Sequence, residues 1–240
     1  MTADPFARVA ELTGVGSAAA HARDAIDALL RHPVMRRQAG AVAAQSAVRG
    51  ARASAELAGA DSGDVDDPTL QGALRVTSEI PALAAVWTRS PGQALARMHV
   101  LAARDLPSAD AAELGRPRPE IDHARLDQLL RLAVAPTAAP AVVVAALVHG
   151  ELLAVRPFAI ADDLVARAAE RVVLVGRGVD TKAVSVPEAG HRALSKAYAP
   201  LHAAYRSGTP DGIAAWIRHC CDAYARGAEE GIAAGTSLTG

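Results

Sequence analysis

Apolar residues recur at helical spacing along most of this chain, and three segments show the pattern clearly. Residues 141–155 are apolar on nearly every face, which indicates a helix buried on all sides. The segment 122–134 and the segment that begins at Pro210 each carry one apolar stripe, as amphipathic helices do. The stripe of the last helix consists of Ile213, Trp216, Ile217, Cys220 and Tyr224. The pattern predicts amphipathic helices packed around one central helix.

Capping residues, prolines and glycines divide the rest of the chain into further helices. Residues 61–68 and 105–121 are rich in turn-forming residues and predict loops, and the second shows no alternation typical of a strand. Ser185 and Glu188 have the spacing of a capping box at the start of a helix. The further predicted helices are 17–30, 33–60, one beginning at 68, one at 91, 163–175 and 187–206.

The composition agrees with an all-α fold and excludes most others. Hydrophobic residues make up 51% of the 240 residues, aromatic residues only 3%, and alanine is in obvious excess. Alanine has the highest helix propensity, whereas sheets favour the β-branched and aromatic residues. We predict a single helical domain over residues 1–240. It comprises N-terminal helices in 1–135, a core in 136–235 and a tail in 236–240.

The charge balance and the apolar runs bear on partners and compartment. The chain carries 25 basic and 26 acidic residues, so it lacks the basic excess expected of a nucleic-acid-binding protein. The longest strongly apolar run, 138–148, is about half of the roughly 20 residues that a membrane span needs. The first residues show no signal-peptide pattern. We therefore expect a cytoplasmic protein without a nucleic-acid or membrane partner.

The cysteines and histidines give no sequence signature of a metal site. Cys220 and Cys221 are adjacent in a predicted helix and point in different directions, which disfavours a disulfide or a metal pair. None of the eight histidines forms an H-x-x-x-H pair. His219 is expected in solvent or at the edge of the core. The sequence predicts no metal ion.

The residues that follow the central helix resemble a known signature. Pro157, Phe158 and Arg167 match the Fic/Doc family motif H-P-F-x-[DE]-G-N-G-R-x-x-R in position and type. The remaining informative positions differ from the motif: Arg156 for the histidine, Ile160 for the acidic residue, Ala161, Asp162 and Asp163 for Gly-Asn-Gly, and Leu164 for the first arginine. The resemblance implies a Fic-like helical core over 136–235.

A second similarity lies upstream, at the end of the long predicted helix. Residues 54–59 are similar to the family's inhibitory motif [ST]-x-x-x-E-[GN], with Ser54 and Gly59 matching and Ala58 in the glutamate position. Glu56 is not a replacement, because two residues turn a helix by about 200°. The inhibitory-helix motif therefore survives only as a remnant.

The resemblance implies three roles for the motif in active Fic proteins. The histidine is a general base, the acidic residue holds Mg²⁺, and the backbone amides of Gly-Asn-Gly bind phosphates. Arg156 stays protonated and cannot accept a proton. Ile160 offers no oxygen to a hard cation. Asp162 and Asp163 place carboxylates where a helix N-terminus would attract an anion. Each of these substitutions argues against ordinary AMP transfer.

The sequence leaves three interpretations of this loop open. The first is a packing corner in which Asp162 is only a helix N-cap. The second is a repurposed pocket with Arg156 and Arg167 flanking two aspartates. The third is retained catalysis by another group. The leading hypothesis is a catalytically degenerate binding, scaffold or regulatory protein that has no cofactor and either binds a protein partner or self-associates. The alternative is a transferase with altered donor chemistry, which would use ATP and Mg²⁺ or another phosphate-containing donor.

Overall fold

A computed structural model of the chain describes residues 4–237. These residues form α-helices and no β-strand, which confirms the all-α class. Residues 238–240 of the predicted tail lie outside the described residues. In chain order the helices are α1 (Pro5–Ala10), α2 (Val15–Arg31), α3 (Met35–Leu57), α4 (Pro68–Ser78), α5 (Ile80–Trp87), α6 (Pro91–Ala103), α7 (His123–Val134), α8 (Ala141–Val155), α9 (Asp162–Gly176), α10 (Pro187–Ala193), α11 (Ser195–Arg206) and α12 (Pro210–Thr236).

Helix α8 lies inside the molecule and has the bounds that its apolar pattern predicts. It packs against α9, α12 and α7, and its residues from Val142 to Gly150 are all buried. A helix that is apolar on every face must be covered on every face, and these neighbours supply the cover. Among residues 4–237, no helix combines the length and apolarity needed to cross a bilayer.

Helix α12 connects elements from distant parts of the chain. It packs against α2, α3, α8, α10 and α11. Trp216, Ile217, Cys220 and Tyr224 of its predicted stripe are fully buried, whereas Ile213 is half-buried. Apolar residues of every helix except α10 share one core, and Ala189 of α10 packs in a separate cluster with Ala53 and Val186.

Small residues let these helices approach closely. A Cβ atom added to Gly190 of α10 would lie 2.0 Å from the carbonyl oxygen of Ala223 on α12. One added to Gly150 of α8 would lie 2.6 Å from Nε1 of Trp216. Both distances are shorter than a carbon atom can accept, so glycine sets the spacing of α12 against α8 and α10.

The start of α2 differs from its prediction. The helix begins at Val15 rather than at Ser17, since Gly14 adopts a φ of 77° and makes the turn that precedes it. The Ser17 hydroxyl donates to the carbonyl oxygen of Gly14 at 3.1 Å and does not cap the helix.

The predicted capping box at Ser185 is also wrong. Its hydroxyl donates to the buried Asp180 carboxylate at 2.6 Å, and α10 begins at Pro187 without a side-chain cap. Glu188, the other member of the box, instead pairs with Arg171 of α9 at 3.5 Å. Buried charged groups compete for these side chains, and local spacing gives no sign of that competition.

The single helix predicted over 187–206 is divided into α10 and α11. Leu194, between them, has φ −102° and ψ 18°, outside the α-helical range. His191 precedes this break and Tyr198 follows it. The two rings nevertheless meet, with their centroids 5.2 Å apart.

Candidate functional site

The motif loop, residues 156–161, joins α8 to α9 and has a tight backbone. Arg156 ends α8 with φ 49° and Ala161 precedes α9 with φ 60°, so two non-glycine residues adopt the left-handed conformation. That conformation costs an L-residue about 1 kcal/mol. The loop is held in place by Phe158, which is 1% exposed and stacks on His99 of α6 at a centroid distance of 3.9 Å.

Asp162 occupies the N-terminal end of α9. Its Oδ1 accepts a hydrogen bond from the Phe158 N–H at 2.9 Å, and its Oδ2 lies 3.8 Å from Nε of Arg156. Burial raises the pKa of Asp162 to about 6. The N-cap position belongs to Ala161, so the interpretation of Asp162 as an N-cap is wrong. Asp162 is the first helical residue, and its carboxylate closes the loop onto the helix.

The segment 105–121 lies against the motif loop. It consists of turns without a strand, as predicted, and it is tied to the loop through Arg118. The backbone N–H of Arg118 donates to the carbonyl oxygen of Pro157 at 2.8 Å. The guanidinium of Arg118 donates to the carbonyl oxygen of Arg156 at 2.9 Å. A cavity of about 210 Å³ remains between the segment and the loop. Its lining includes His99, Ser108, Ala112, Leu114, Arg116 and Ile160.

A buried network of polar groups, absent from the predicted site, lies deeper in the core. Its centre is Glu170 of α9, a fully buried carboxylate. Glu170 contacts Nδ1 of His149 at 2.8 Å and Nε2 of His191 at 3.0 Å, and the Tyr224 hydroxyl donates to it at 2.6 Å. Burial acts to raise the pKa of Glu170, but His149 and His191 outweigh it and hold that pKa below the usual range.

The network includes groups that ligate metal ions in other proteins. His149, Glu170, His191 and Cys220 each offer a ligand atom, and these atoms lie within 4.8 Å of one another. Each residue belongs to a different helix: α8, α9, α10 and α12 in that order. Cys221 is not in the set, which agrees with the expectation that the adjacent Cys220 and Cys221 point in different directions. His219, expected in solvent or at the core edge, is buried and contacts His191 at 3.3 Å.

One sequence feature points to this network. Glu170 follows Ala168 and Ala169 and precedes Arg171, Val172 and Val173, so a carboxylate and an arginine stand side by side in an otherwise apolar helical segment. Charged residues in such a segment need buried partners, so the pattern marks Glu170 together with Arg171 rather than Glu170 alone. His191 gives no comparable signal, because it stands in a short helix beside the exposed Arg192.

No protein-family model and no curated protein matches this chain by sequence. Solved structures do match it. One is Fic-1 (residues 134–508) from C. elegans, with 15% identity and a TM-score of 0.62 over 93% of this chain and 73% of that one. Another is a Fic family protein from Desulfovibrio desulfuricans G20, with 17% identity and a TM-score of 0.60 over 90% of this chain and 74% of that one. The chain has the Fic fold.

In this Fic fold the two segments that resemble Fic motifs contact each other. Arg167 of α9 is 1% exposed, its Nε donates to the Ser54 hydroxyl at 2.8 Å, and its Nη2 donates to the Ser54 carbonyl oxygen at 2.8 Å. Ala58 and Gly59 follow the last residue of α3 and are both exposed. Gly59 has a φ of 84°. As expected, Glu56 points elsewhere and pairs with Arg192 at 2.7 Å.

The two candidate arginines of the Fic-fold chain do not share an open pocket. The Arg156 side chain is 59% exposed beside Asp162, whereas the Arg167 guanidinium is buried and bound to Ser54. The predicted pocket flanked by both arginines is therefore wrong. The Ile160 side chain offers no oxygen to Mg²⁺, and Oδ1 of Asp162 accepts the Phe158 N–H, whereas Oδ2 has no hydrogen-bond partner.

Proposed function

We propose that this Fic-fold chain is a binding or scaffold protein that does not transfer nucleotides. The observation that carries the proposal is the hydrogen bond from the Phe158 N–H to the Asp162 carboxylate at 2.9 Å. This bond fixes the carboxylate of the first residue of α9 against the motif loop, so that a negative charge stands beside the helix N-terminus, where a phosphate group would otherwise bind.

Electrostatics support the same conclusion. Two like charges about 4 Å apart at an effective dielectric constant of about 20 repel by about 4 kcal/mol, so an ionised Asp162 opposes a polyphosphate. Asp163, the next residue, is half-buried at the same helix end and adds a second carboxylate. Arg156 cannot take a proton from a target hydroxyl.

We assign the binding role to the cavity between segment 105–121 and the motif loop. Its lining combines apolar groups such as Leu114 and Ile160 with charged groups such as Glu113 and Arg116, which suits a protein surface of mixed character. Arg118 anchors the segment to the carbonyl oxygens of Arg156 and Pro157, so the cavity has a fixed wall. We expect the partner to be a protein.

The absence of transfer is tested with α-phosphate-labelled ATP, Mg²⁺ or Mn²⁺ and a cell lysate. We expect the wild-type chain to transfer no label to any protein. Label transferred by the wild type and lost in an Asp162→Ala/Asp163→Ala double variant would contradict the proposal and favour a transferase of altered chemistry.

The binding role is tested by photo-crosslinking in cells. A photoreactive residue at the exposed position 108, which lines the cavity, should capture a defined partner, whereas the same residue at the exposed Val65 should not. Ala112→Trp should fill the cavity and abolish capture at position 108. Ala111→Trp is the matched control, because Ala111 is also exposed and does not line the cavity. Capture that survives Ala112→Trp would show that the partner binds elsewhere.

A further inference from the structure

The four residues His149, Glu170, His191 and Cys220 form a compact set of ligand atoms inside the core. All four are buried, and their ligand atoms lie within 4.8 Å of one another. Nδ1 of His149 and Nε2 of His191 both face the Glu170 carboxylate, at 2.8 and 3.0 Å. Side chains from four helices thus converge on one point in a region where water is excluded.

The charge of this set requires a partner. An ionised carboxylate without access to water is costly unless a positive charge compensates it. The groups in contact with Glu170 are two imidazoles and the Tyr224 hydroxyl, so the compensating charge is either a proton taken up by a histidine or a bound cation. A divalent cation bound by the Glu170 carboxylate and a Cys220 thiolate would have its two charges balanced, with the histidines as neutral ligands.

We propose that His149, Glu170, His191 and Cys220 bind one Zn²⁺ ion. Imidazole, thiolate and carboxylate are the three ligand types that zinc takes in proteins, whereas Mg²⁺ and Ca²⁺ take oxygen atoms. Zn–N and Zn–O bonds of about 2.0–2.2 Å and a Zn–S bond of about 2.3 Å separate tetrahedral ligand atoms by roughly 3.3–3.8 Å. Shifts of about 1 Å would bring the present atoms to that geometry. When Zn²⁺ binds, the Cys220 thiol releases its proton to solvent.

The outer ring nitrogens of both histidines already have partners. His149 Nε2 contacts the Tyr198 hydroxyl at 2.7 Å, and His191 Nδ1 contacts Nε2 of His219 at 3.3 Å. In zinc sites the ring nitrogen that does not bind the metal is hydrogen-bonded to an outer group, which fixes the orientation of the ring. Four protein ligands also complete a tetrahedral zinc site, so the ion would connect α8, α9, α10 and α12 rather than bind a substrate. This role does not depend on the proposed binding function.

The test begins with the metal content of the whole 240-residue chain. The protein is purified without a metal-affinity step, then unfolded and refolded with either Zn²⁺ or Co²⁺. We expect about one equivalent of zinc per chain and, with Co²⁺, the thiolate-to-cobalt charge-transfer absorption of a tetrahedral site. Cys220→Ala should lose that absorption and nearly all of the metal.

Cys221→Ala is the matched control, since Cys221 is buried on the same helix and lies outside the set. It should retain the metal and the cobalt spectrum. If Cys220→Ala does not fold, zinc X-ray absorption on the wild-type protein decides the question, with one sulfur and three nitrogen or oxygen neighbours expected. A wild-type chain that refolds without taking up either metal would overturn the proposal. So would a zinc shell without sulfur, or equal metal content in the two variants. Each of these results would indicate a hydrogen-bonded network in which one of the two histidines is protonated on both ring nitrogens and carries the compensating positive charge.

Discussion

At the scale of single residues, the motif loop keeps its shape with residues that differ from those of the Fic motif it resembles. Ala161 accepts a left-handed φ of 60° where the motif has glycine, and Asp162 takes the Phe158 N–H. The Asp162 carboxylate is almost fully buried, and its nearest cation, Nε of Arg156, is 3.8 Å away. A carboxylate that is buried and only partly paired favours its neutral form, and burial raises the pKa of Asp162 to about 6.

This pKa leads to a pH-dependent prediction for Asp162→Asn. A carboxyl group whose pKa is higher in the folded chain stabilises the fold below its unfolded pKa of about 4, and that contribution is lost as the pH rises through about 6. The free energy of unfolding of wild type relative to Asp162→Asn should therefore fall by about 2 kcal/mol from about pH 4 to about pH 7. Urea titrations at several pH values measure it.

Arg156→Gln provides a check on the same prediction. The positive charge of Arg156 lowers the pKa of Asp162. Removing that charge should therefore raise the pH at which the stability difference between the chains with Asp162 and with Asp162→Asn is lost. A difference between wild type and Asp162→Asn that stays constant with pH would show that the Asp162 carboxyl is not responsible.

At the scale of helices, close packing through small residues replaces the usual large side chains. The chain has few aromatic residues and much alanine, and its helices approach one another where glycine faces a backbone carbonyl. Gly190 of α10 against Ala223 of α12 is one such approach. A methyl group there has no space, since the atom opposite is backbone rather than a flexible side chain.

Gly190→Ala should therefore destabilise the protein, by at least about 2 kcal/mol. Gly40→Ala is the matched control, because Gly40 lies in α3 with no atom within 4 Å of an added Cβ. It should stabilise the protein by about 0.5–1 kcal/mol, as alanine is the better helix former. Denaturant titration followed by far-UV circular dichroism measures both. Equal effects of the two substitutions would mean that α10 and α12 are not in close contact.

At the scale of the whole molecule, the helices before and after residue 135 share one core. Helix α12 packs against α2 and α3 as well as α8, and apolar residues of both parts belong to a single cluster. We predict that the chain unfolds as one domain. Its two tryptophans report on the two parts, because Trp87 lies in α5 and Trp216 in α12, and both are buried.

The single-tryptophan variants Trp216→Phe and Trp87→Phe test that prediction. The remaining tryptophan in each variant should show a fluorescence transition that coincides with the far-UV circular dichroism transition of the same variant. Each substitution is expected to lower stability, so the comparison is made within one variant. A fluorescence transition displaced from the circular dichroism transition in either variant would indicate two domains.

Agreement between sequence and structure is greatest where local chemistry decides. The bounds of α8 follow from its apolar run. Asp67 caps α4 by accepting the Thr69 N–H at 2.7 Å, which confirms the helix start at Pro68. The capping box at Ser185 failed because buried Asp180 takes its hydroxyl, and the break at Leu194 has no signal in the pattern.

The sequence by itself determined the helical class, most helix positions and the presence of an arginine, which cannot accept a proton, at position 156, because these depend on residue type and short-range spacing. Only the tertiary structure decided which distant side chains meet. Arg167 binds Ser54, and Glu170 joins His149, His191 and Tyr224, across sequence separations of 21 to 113 residues. Such contacts arise because buried charged and polar groups must find partners inside the core, and the packing of helices rather than local pattern selects those partners.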